Sequence, residues 1–427
     1  MSGGAGAVAD RLTAWWARER RALESQQGRS ARTVRWLLAR PGVVLLPPAV
    51  LSPGLFGAAI PGGDAQWFRE AGLSLLGPDA LDVFSAAGLQ IGPLYLLLVG
   101  LLASGAQALG LPVLFTVAAL QSAGLLAYAL YVSGRWARAF GTSPLRARWG
   151  VGVPLVFLGP LSESIGNGHP EELGLGLMLA HLVLLAREGR AAGAGALLGA
   201  AVGIKLWAIL GAPLVLLSRR WRTVLVSGVV TLACTLTAYV PFAALGEMNT
   251  FEFTWGGGPA PFGLEIPEAA LGGWGFRVAQ AVLVVLSVAL VAWRWPGSGL
   301  GAVMTLVAVR VVLDPLLQMY YTIPFIVLVL IWLWTSGAVR GAHALGFSAL
   351  VLVAMLAPYL VDRTTRVMAT HVLLVGVAAA VVRLDHRRHP TPTRPDRPTP
   401  PEDGVGDPIL GSAPGAHPAG QRHPTRS

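Results

Sequence analysis

Long apolar runs, separated by short basic segments, dominate this chain. They recur from about residue 43 to residue 382. Such runs are typical of transmembrane helices, because a helix needs about 20 apolar residues to cross the hydrocarbon core. Helices also satisfy their own backbone polar groups where water is absent. The pattern therefore predicts an all-α, polytopic helical membrane protein.

Composition supports this fold class and limits the kinds of ligand that the protein is expected to bind. The chain is 54% hydrophobic and 13% charged, whereas soluble domains carry about 25% charged residues. Its 53 glycines suit close packing of transmembrane helices. The net charge of +10 comes from Lys and Arg between apolar runs and at the termini, as in cytoplasmic loops rather than nucleic-acid-binding surfaces. The single cysteine, Cys234, excludes an internal disulfide and a cysteine-based metal site.

Three regions are predicted. Residues 1–40 are basic and too charged for a signal peptide, so we expect a cytoplasmic segment containing an interfacial helix. Residues 41–384 form the transmembrane region. Residues 385–427, rich in Pro and Arg, are expected to be a disordered cytoplasmic tail.

About twelve spans are predicted if the basic loops lie in the cytoplasm. The segments 193–204 and 208–217 are too short for two full spans. We expect them to form a shallow hairpin whose turn, at Lys205, lies at membrane depth against a cavity. The predicted segments are 41–60, 111–133, 149–165, 172–186, 193–204, 208–217, 224–245, 274–293, 301–314, 321–334, 344–360 and 367–383.

The apolar segment 91–109 is predicted not to cross the membrane. The arginines of loop 135–148 belong inside, so an odd number of spans must separate that loop from the outer loop around Asp64. Segment 91–109 is therefore expected to be a re-entrant or interfacial helix within the first outer loop. The alternative is that it spans and that loop 135–148 breaks the positive-inside rule.

With this topology, the polar residues at membrane depth fall on the outer face. Ionisable groups at that depth are costly and tend to be functional. They come from segments far apart in the chain: Asp64, the segment 163–172, Lys205, Arg310 with Asp314 and Gln318, and Tyr320 with Tyr321.

Each cationic candidate also has an interpretation that is purely structural. Arg310 and Asp314 are four residues apart and would share one helix face. Arg310 then either binds an anion with Asp314 orienting it, or forms a structural ion pair. Lys205, at the turn between short helices, is the best single anion-binding candidate, and its alternative is snorkelling to the interface.

The acidic candidates also have two interpretations. Segment 169–172, His-Pro-Glu-Glu, either contributes to a site or only begins a helix, whose dipole favours acidic residues there. Asp64 is either a general base or a solvated loop carboxylate. Asp79 and Asp82 have the character of ordinary loop residues.

These residue types favour one kind of chemistry. The sequence has no Walker loop, dinucleotide fingerprint, Cys/His cluster or Gly-x-Ser-x-Gly pattern. Transfer of a sugar from a lipid phosphate needs no nucleotide pocket. Cations stabilise the phosphate leaving group, a carboxylate accepts the proton of the acceptor hydroxyl, and direct displacement inverts the anomeric centre.

Four stretches resemble the C-type membrane glycosyltransferases. The closer resemblance is to glycosyltransferase family 87, the actinobacterial polyprenyl-phosphate-mannose-dependent mannosyltransferases. The stretches are GDAQWF (63–68) with GLQIGPLY (88–95), GNGHPEE (166–172), GAAVGIKLW (199–207), and RVVLDP (310–315) with Tyr320 and Tyr321.

The resemblance implies roles for the candidate residues. Asp64 matches the aspartate of the family's first outer loop, the expected base. Because Asp64 has no acidic neighbour, unlike the paired acids of many C-type enzymes, we expect no metal, and no cofactor is expected. The other assignments are donor-phosphate binding by Lys205, Arg310 and His169, with support from Glu171, Glu172, Asp314, Tyr320 and Tyr321.

The expected function is inverting transfer of a sugar, mannose first, from a polyprenyl-phosphate donor. The acceptor is an envelope glycan or glycolipid on the outer face of the plasma membrane, and the expected partners are donor, acceptor and membrane lipids. Arabinofuranosyl transfer is the alternative within the same mechanism. A transporter or lipid flippase is the alternative from another class, but it requires inverted repeats, and the short pair 193–217 has no counterpart in the other half.

Overall fold

The computed structural model describes residues 29–56, 63–253, 274–314, 318–339, 341–356 and 363–388, and singly residues 14 and 18. The continuous stretches contain α-helices and 3₁₀ segments, and no strand occurs among them. All of them belong to one compact unit, residues 1–390. The predicted all-helical class is confirmed for this part of the chain.

Helices follow one another with short connections. The 3₁₀ segments cover Ala80–Asp82, Leu206–Ser218, Thr250–Glu252 and Met319–Thr322. The α-helices of the described residues are α1 (Arg29–Leu38), α2 (Pro41–Phe56), α3 (Asp64–Ser74), α4 (Pro93–Ala108), α5 (Val113–Ala139), α6 (Pro144–Phe157), α7 (Pro160–Gly166), α8 (Pro170–Arg187), α9 (Ala191–Ile204), α10 (Trp221–Leu245), α11 (Trp274–Arg294), α12 (Gly299–Val312), α13 (Ile323–Thr335), α14 (Gly341–Leu356) and α15 (Arg363–Arg388).

Four described helices are long and apolar enough to cross a membrane: α5, α10, α11 and residues 365–387 of α15. The helices α1 and α2, bent by 74° relative to each other, would make a fifth if they count as one span. Several other apolar helices have only 13–16 residues. At about 1.5 Å per residue these reach roughly 20–24 Å, less than the ~30 Å hydrocarbon core. The chain is thus a helical membrane protein, and the number twelve stays a prediction.

One predicted span is not a single continuous helix. Segment 149–165 consists of α6 and α7, separated at residues 158–159. Pro160 begins α7, because proline lacks an N–H and clashes with the carbonyl four residues earlier inside a continuous helix. This break turns the chain toward the loop that precedes α8.

Among the described helices of 18 or more residues, α8 has the largest buried fraction. Fourteen of its eighteen residues are buried, and it packs against α5, α9, α13 and the 3₁₀ segment Leu206–Ser218. Side chains enclosed on all sides are held by close packing. The first turn of α8, which carries Glu171 and Glu172, is therefore fixed in position.

The chain breaks at Lys205 between two short elements, as predicted, whereas the shallow hairpin at membrane depth stays a prediction. Helix α9 ends at Ile204, Lys205 is extended (φ −157°, ψ 125°), and the 3₁₀ segment begins at Leu206. Gly92, just before α4, donates its backbone N–H to the Ile204 carbonyl at 2.8 Å. A Cβ on Gly92 would lie 2.2 Å from the Gly203 carbonyl oxygen, so only glycine permits this approach. The start of α4 is thereby attached to the break.

Helix α4 corresponds to the segment 91–109. It has 16 residues, or about 24 Å, so it is longer than α12 and α13, which lie in predicted spans, and its length does not decide whether it crosses. Re-entrant or interfacial placement stays a prediction.

The end of the described chain is well packed. Helix α15 continues to Arg388, past the predicted boundary at 384. Asp385 is buried and accepts hydrogen bonds from Trp332 Nε1 (2.8 Å) and Ser298 Oγ (3.2 Å). The predicted disordered tail from residue 389 onward lies outside the described residues.

Candidate active site

Asp64 is the first residue of α3 and follows Gly63. Its side chain is 46% exposed, and its Oδ2 lies 2.7 Å from Nε2 of His169. Gly168 makes this contact possible: it has φ +76°, and a Cβ there would lie 2.6 Å from the backbone nitrogen of Ala65. The loop before α8 therefore packs directly onto the beginning of α3.

His169 connects Asp64 to the buried interior. Its Nδ1 lies 2.7 Å from Glu171 Oε1, and its other ring nitrogen contacts Asp64. The ring stacks on Tyr320, with centroids 3.9 Å apart and an interplanar angle of 18°. Phe68 approaches it edge-on at 5.5 Å. The imidazole is thus held by contacts at both nitrogens, one face and one edge.

Glu171 and Glu172 lie in the first turn of α8 and both are buried. Lys205 Nζ contacts both, at 2.9 Å from Glu171 Oε1 and 2.8 Å from Glu172 Oε1. Trp207 Nε1 also donates to Glu172 Oε1, at 3.3 Å. The two glutamates therefore bind the residues at the chain break after α9 directly. Their role is more than a favourable interaction with the dipole of their own helix.

Arg310, in the last turn of α12, completes the series. Its NH1 and NH2 lie 3.4 and 3.5 Å from the two carboxylate oxygens of Glu172. Its guanidinium carbon lies 4.1 Å from the Trp207 ring centroid and 4.6 Å from that of Tyr321. Stacking on aromatic faces suits arginine better than lysine, because the guanidinium is planar and weakly hydrated.

Asp314 has a different place from the one that helical spacing predicted. Helix α12 ends at Val312, so the rule that residues four apart share a helix face does not reach Asp314. Its Oδ2 lies 3.2 Å from NH1 of Arg277 in α11. Gln280, from the same helix, donates to the backbone carbonyl of Arg310 at 2.9 Å. Helix α11 thus supports the cationic end of the site.

Two pKa values outside the membrane-spanning segments reflect this arrangement. The hydrogen bond with His169 lowers the pKa of Asp64 below its ordinary value, against the opposing effect of burial. Burial by itself lowers the pKa of His169, but the charge of Glu171 and the hydrogen bonds with Asp64 and Glu171 outweigh it, and the net direction is upward. The geometry thus favours an ionised Asp64 beside a protonated His169.

The structure brings the predicted residues into one connected site. Tyr320 and Tyr321 also contact each other, with ring centroids 4.7 Å apart. Among the described residues, no group of three or more His, Cys, Asp and Glu side chains is arranged to hold a metal ion. The series of direct contacts runs Asp64, His169, Glu171, Lys205, Glu172, Arg310.

Sequence reasoning assigned no role to three residues that complete the surroundings. Trp207 lies within the quoted stretch 199–207, and its position next to Lys205 was a usable signal. Arg277 and Gln280 lie on an apolar helix after a long loop, and only the packing of α11 against α12 brings them to Asp314 and Arg310.

Comparison with known families gives one finding. Residues 85–220 match the family model described as Alpha-(1->6)-mannopyranosyltransferase, N-terminal domain. The matched part is about a third of the chain and contains His169, Glu171, Glu172 and Lys205. No curated protein matches the chain. At a coarse level, the chain is therefore similar to mannosyltransferases of the family 87 type.

Proposed function

We propose that this protein is an inverting mannosyltransferase that uses a polyprenyl-phosphate-mannose donor. The acceptor is an envelope glycan or glycolipid on the outer face of the plasma membrane. One observation carries the proposal: residues from four separate stretches form an unbroken series of contacts from a half-exposed carboxylate to a buried arginine. The series consists of Asp64, His169, Glu171, Lys205, Glu172 and Arg310.

The reaction is a single displacement at C1 of mannose. The acceptor oxygen forms a bond to C1 on the face opposite the phosphate, while the bond between C1 and the phosphate oxygen breaks. The electron pair leaves with the lipid phosphate. Asp64 accepts the proton of the acceptor hydroxyl, because it is the accessible carboxylate of the series and its lowered pKa keeps it ionised.

Lys205 and Arg310 supply positive charge for the departing phosphate. Both already face Glu172, so the phosphate either uses their remaining N–H donors or replaces part of these contacts. An ammonium has three donors and a guanidinium five, and the contacts between Arg310 and Glu172, at 3.4 and 3.5 Å, are long. Preorganised cations in a site shielded from water stabilise developing charge effectively. Both ring nitrogens of His169 face carboxylates, so neither is directed at the phosphate.

A cavity beside the hairpin break favours a lipid-linked donor. Its volume is about 240 Å³, and its lining is mainly apolar. Leu206, the residue after Lys205, lines it together with Ile91 and the outward side of α10 at Leu236 and Val240. Leu236 and Val240 are exposed on the helix surface. A lipid chain entering between these residues from the membrane would lie next to Leu206, the residue that follows Lys205.

The test is transfer of radiolabelled mannose from polyprenyl-phosphate-mannose in membranes that contain the protein. Asp64→Asn keeps the shape of the side chain and removes the base, so we expect the rate to fall by about 10²–10⁴. Asp79→Asn is the matched control, an exposed aspartate in the turn that follows α3. Full transfer by Asp64→Asn at normal protein level would refute the assignment of the base. Separating lipid, glycan and protein products identifies the acceptor class.

A further inference from the structure

His169 lies between two carboxylates at equal, short distances. Its Nε2 is 2.7 Å from Asp64 Oδ2, and its Nδ1 is 2.7 Å from Glu171 Oε1. An ionised carboxylate only accepts hydrogen bonds, and a neutral imidazole has a single N–H donor. Both contacts are therefore satisfied together only when both ring nitrogens carry a proton. The geometry points to an imidazolium.

The charges of the connected series lead to the same conclusion. It contains three carboxylates, Asp64, Glu171 and Glu172, and two permanent cations, Lys205 and Arg310. With neutral histidine the series carries one uncompensated negative charge, much of it buried. Removing charge from water without a partner is expensive in a protein interior and at membrane depth. A proton on the histidine balances the series.

Other neighbours of the His169 ring fix its orientation and influence its protonation. Tyr320 stacks on its face at 3.9 Å and Phe68 meets its edge at 5.5 Å. Burial and the charge of Lys205 oppose protonation of His169, and the charge of Glu171 acts in the other direction. Stacking fixes the ring plane, so the line from Nδ1 to Nε2 points from the buried glutamate to Asp64.

We propose that His169 is a positioning residue which, as an imidazolium anchored by Glu171, holds Oδ2 of Asp64 and leaves the other carboxylate oxygen for the acceptor hydroxyl. The catalytic part of this inference rests on the proposed function. A carboxylate held by one oxygen cannot rotate freely, and the alignment of a base with its proton strongly affects the rate. His169 acts through Asp64 and need not touch either substrate.

Kinetics of His169→Gln test this role. We expect kcat to fall by about 10–100-fold, with little change in KM for the donor, because the phosphate site is untouched. Asp64 acts only when ionised, so activity is lost as the pH falls through its pKa. Loss of the cation raises that pKa, and the acid limb of the pH profile should move upward by about one unit or more.

Phe68→Leu is the control for packing. It removes the edge contact with the ring but no charge, so its acid limb should stay at the wild-type pH even if the rate declines. An unmoved acid limb in His169→Gln, or an equal shift in Phe68→Leu, would overturn the positioning role.

A second measurement does not depend on transfer. In ¹⁵N-histidine NMR of the whole protein in lipid, the signal lost in His169→Gln identifies this residue. We expect both nitrogens to be protonated up to a midpoint above the ordinary value of about 6.5, and the midpoint to fall in Asp64→Asn. A single protonated nitrogen at pH 6 would overturn the inference. The inactivity of wild-type protein with the donor would instead count against the proposed function.

His169→Gln leaves the series with one uncompensated negative charge, which could prevent folding. A second variant keeps the experiment informative in that case. The double variant His169→Gln/Glu171→Gln restores the balance, with two carboxylates opposite two cations. If the single variant fails to fold, the double variant should fold and still show the raised acid limb. A folded double variant with a wild-type acid limb would refute the role of His169.

Discussion

Replacing Lys205 by methionine should destabilise the protein strongly, because Lys205 separates two buried carboxylates. Its Nζ lies 2.9 Å from Glu171 and 2.8 Å from Glu172, and the side chain is only 11% exposed. Methionine preserves much of the length and volume. The effect of the change is therefore mainly electrostatic.

The magnitude follows from what remains after the change. Removing one partner of a buried ion pair costs about 3–5 kcal/mol. Glu171 keeps His169 at 2.7 Å, and Glu172 keeps Arg310 at 3.4 Å, so we expect the lower end, about 3 kcal/mol. That corresponds to a shift of about 100-fold in the folding equilibrium. Adding Glu171→Gln should recover about 1 kcal/mol or more, since residues in contact couple.

The assay is equilibrium unfolding of the purified protein in mixed micelles, followed by tryptophan fluorescence. The control is Arg69→Met, which removes a cation from a surface pair with Glu70 at 3.6 Å. Such pairs contribute about 0–1 kcal/mol. Equal stability of Lys205→Met and Arg69→Met, or no recovery in the double variant, would refute the view that Lys205 neutralises the two glutamates.

Two further predictions concern the frame of the site. Gly168→Ala should reduce mannosyl transfer about 10-fold or more, because a Cβ would lie 2.6 Å from the nitrogen of Ala65 and displace His169 from Asp64. Gly141→Ala is the control. Gly141 has a similar φ of +69° and no neighbour within 4 Å, so the specific activity should stay near wild type. Arg310→Lys should lower both stability and transfer, since lysine keeps the charge but loses the fork and the stack on Trp207 at 4.1 Å; wild-type values in unfolding and transfer assays would contradict this.

Local pattern was sufficient for the helical class and for many element positions. The segment 172–186 emerged as α8 and 224–245 as α10, each within a few residues, because long apolar runs leave the backbone few other ways to satisfy its hydrogen bonds in lipid. The break at Lys205 was also readable, since two apolar segments that short cannot both cross. Pro160 is also a visible signal for the break within segment 149–165, because proline lacks an N–H and interrupts a continuous helix.

The partners of the charged side chains were decided by tertiary structure. Spacing along the sequence pairs Arg310 with Asp314; in the structure α12 ends at Val312, and Arg310 also hydrogen-bonds to Glu172 of α8. Arg277, on α11, contacts Asp314 only because α11 packs against α12, the next helix in the chain. Ion pairs depend on the distances between side chains on different helices, and those distances cannot be obtained from a single sequence.

The sequence by itself determined that this is a helical membrane protein with Asp64, His169, Lys205 and Arg310 as its notable polar residues. Ionisable groups at membrane depth cost free energy and are therefore rare in apolar segments. Those that do occur there stand out as functional candidates. Only the tertiary structure decided that the cations are neutralised by two glutamates and that His169 stands between two carboxylates. The physical reason is that residue type determines which groups must find partners, whereas helix packing determines which partners lie within reach.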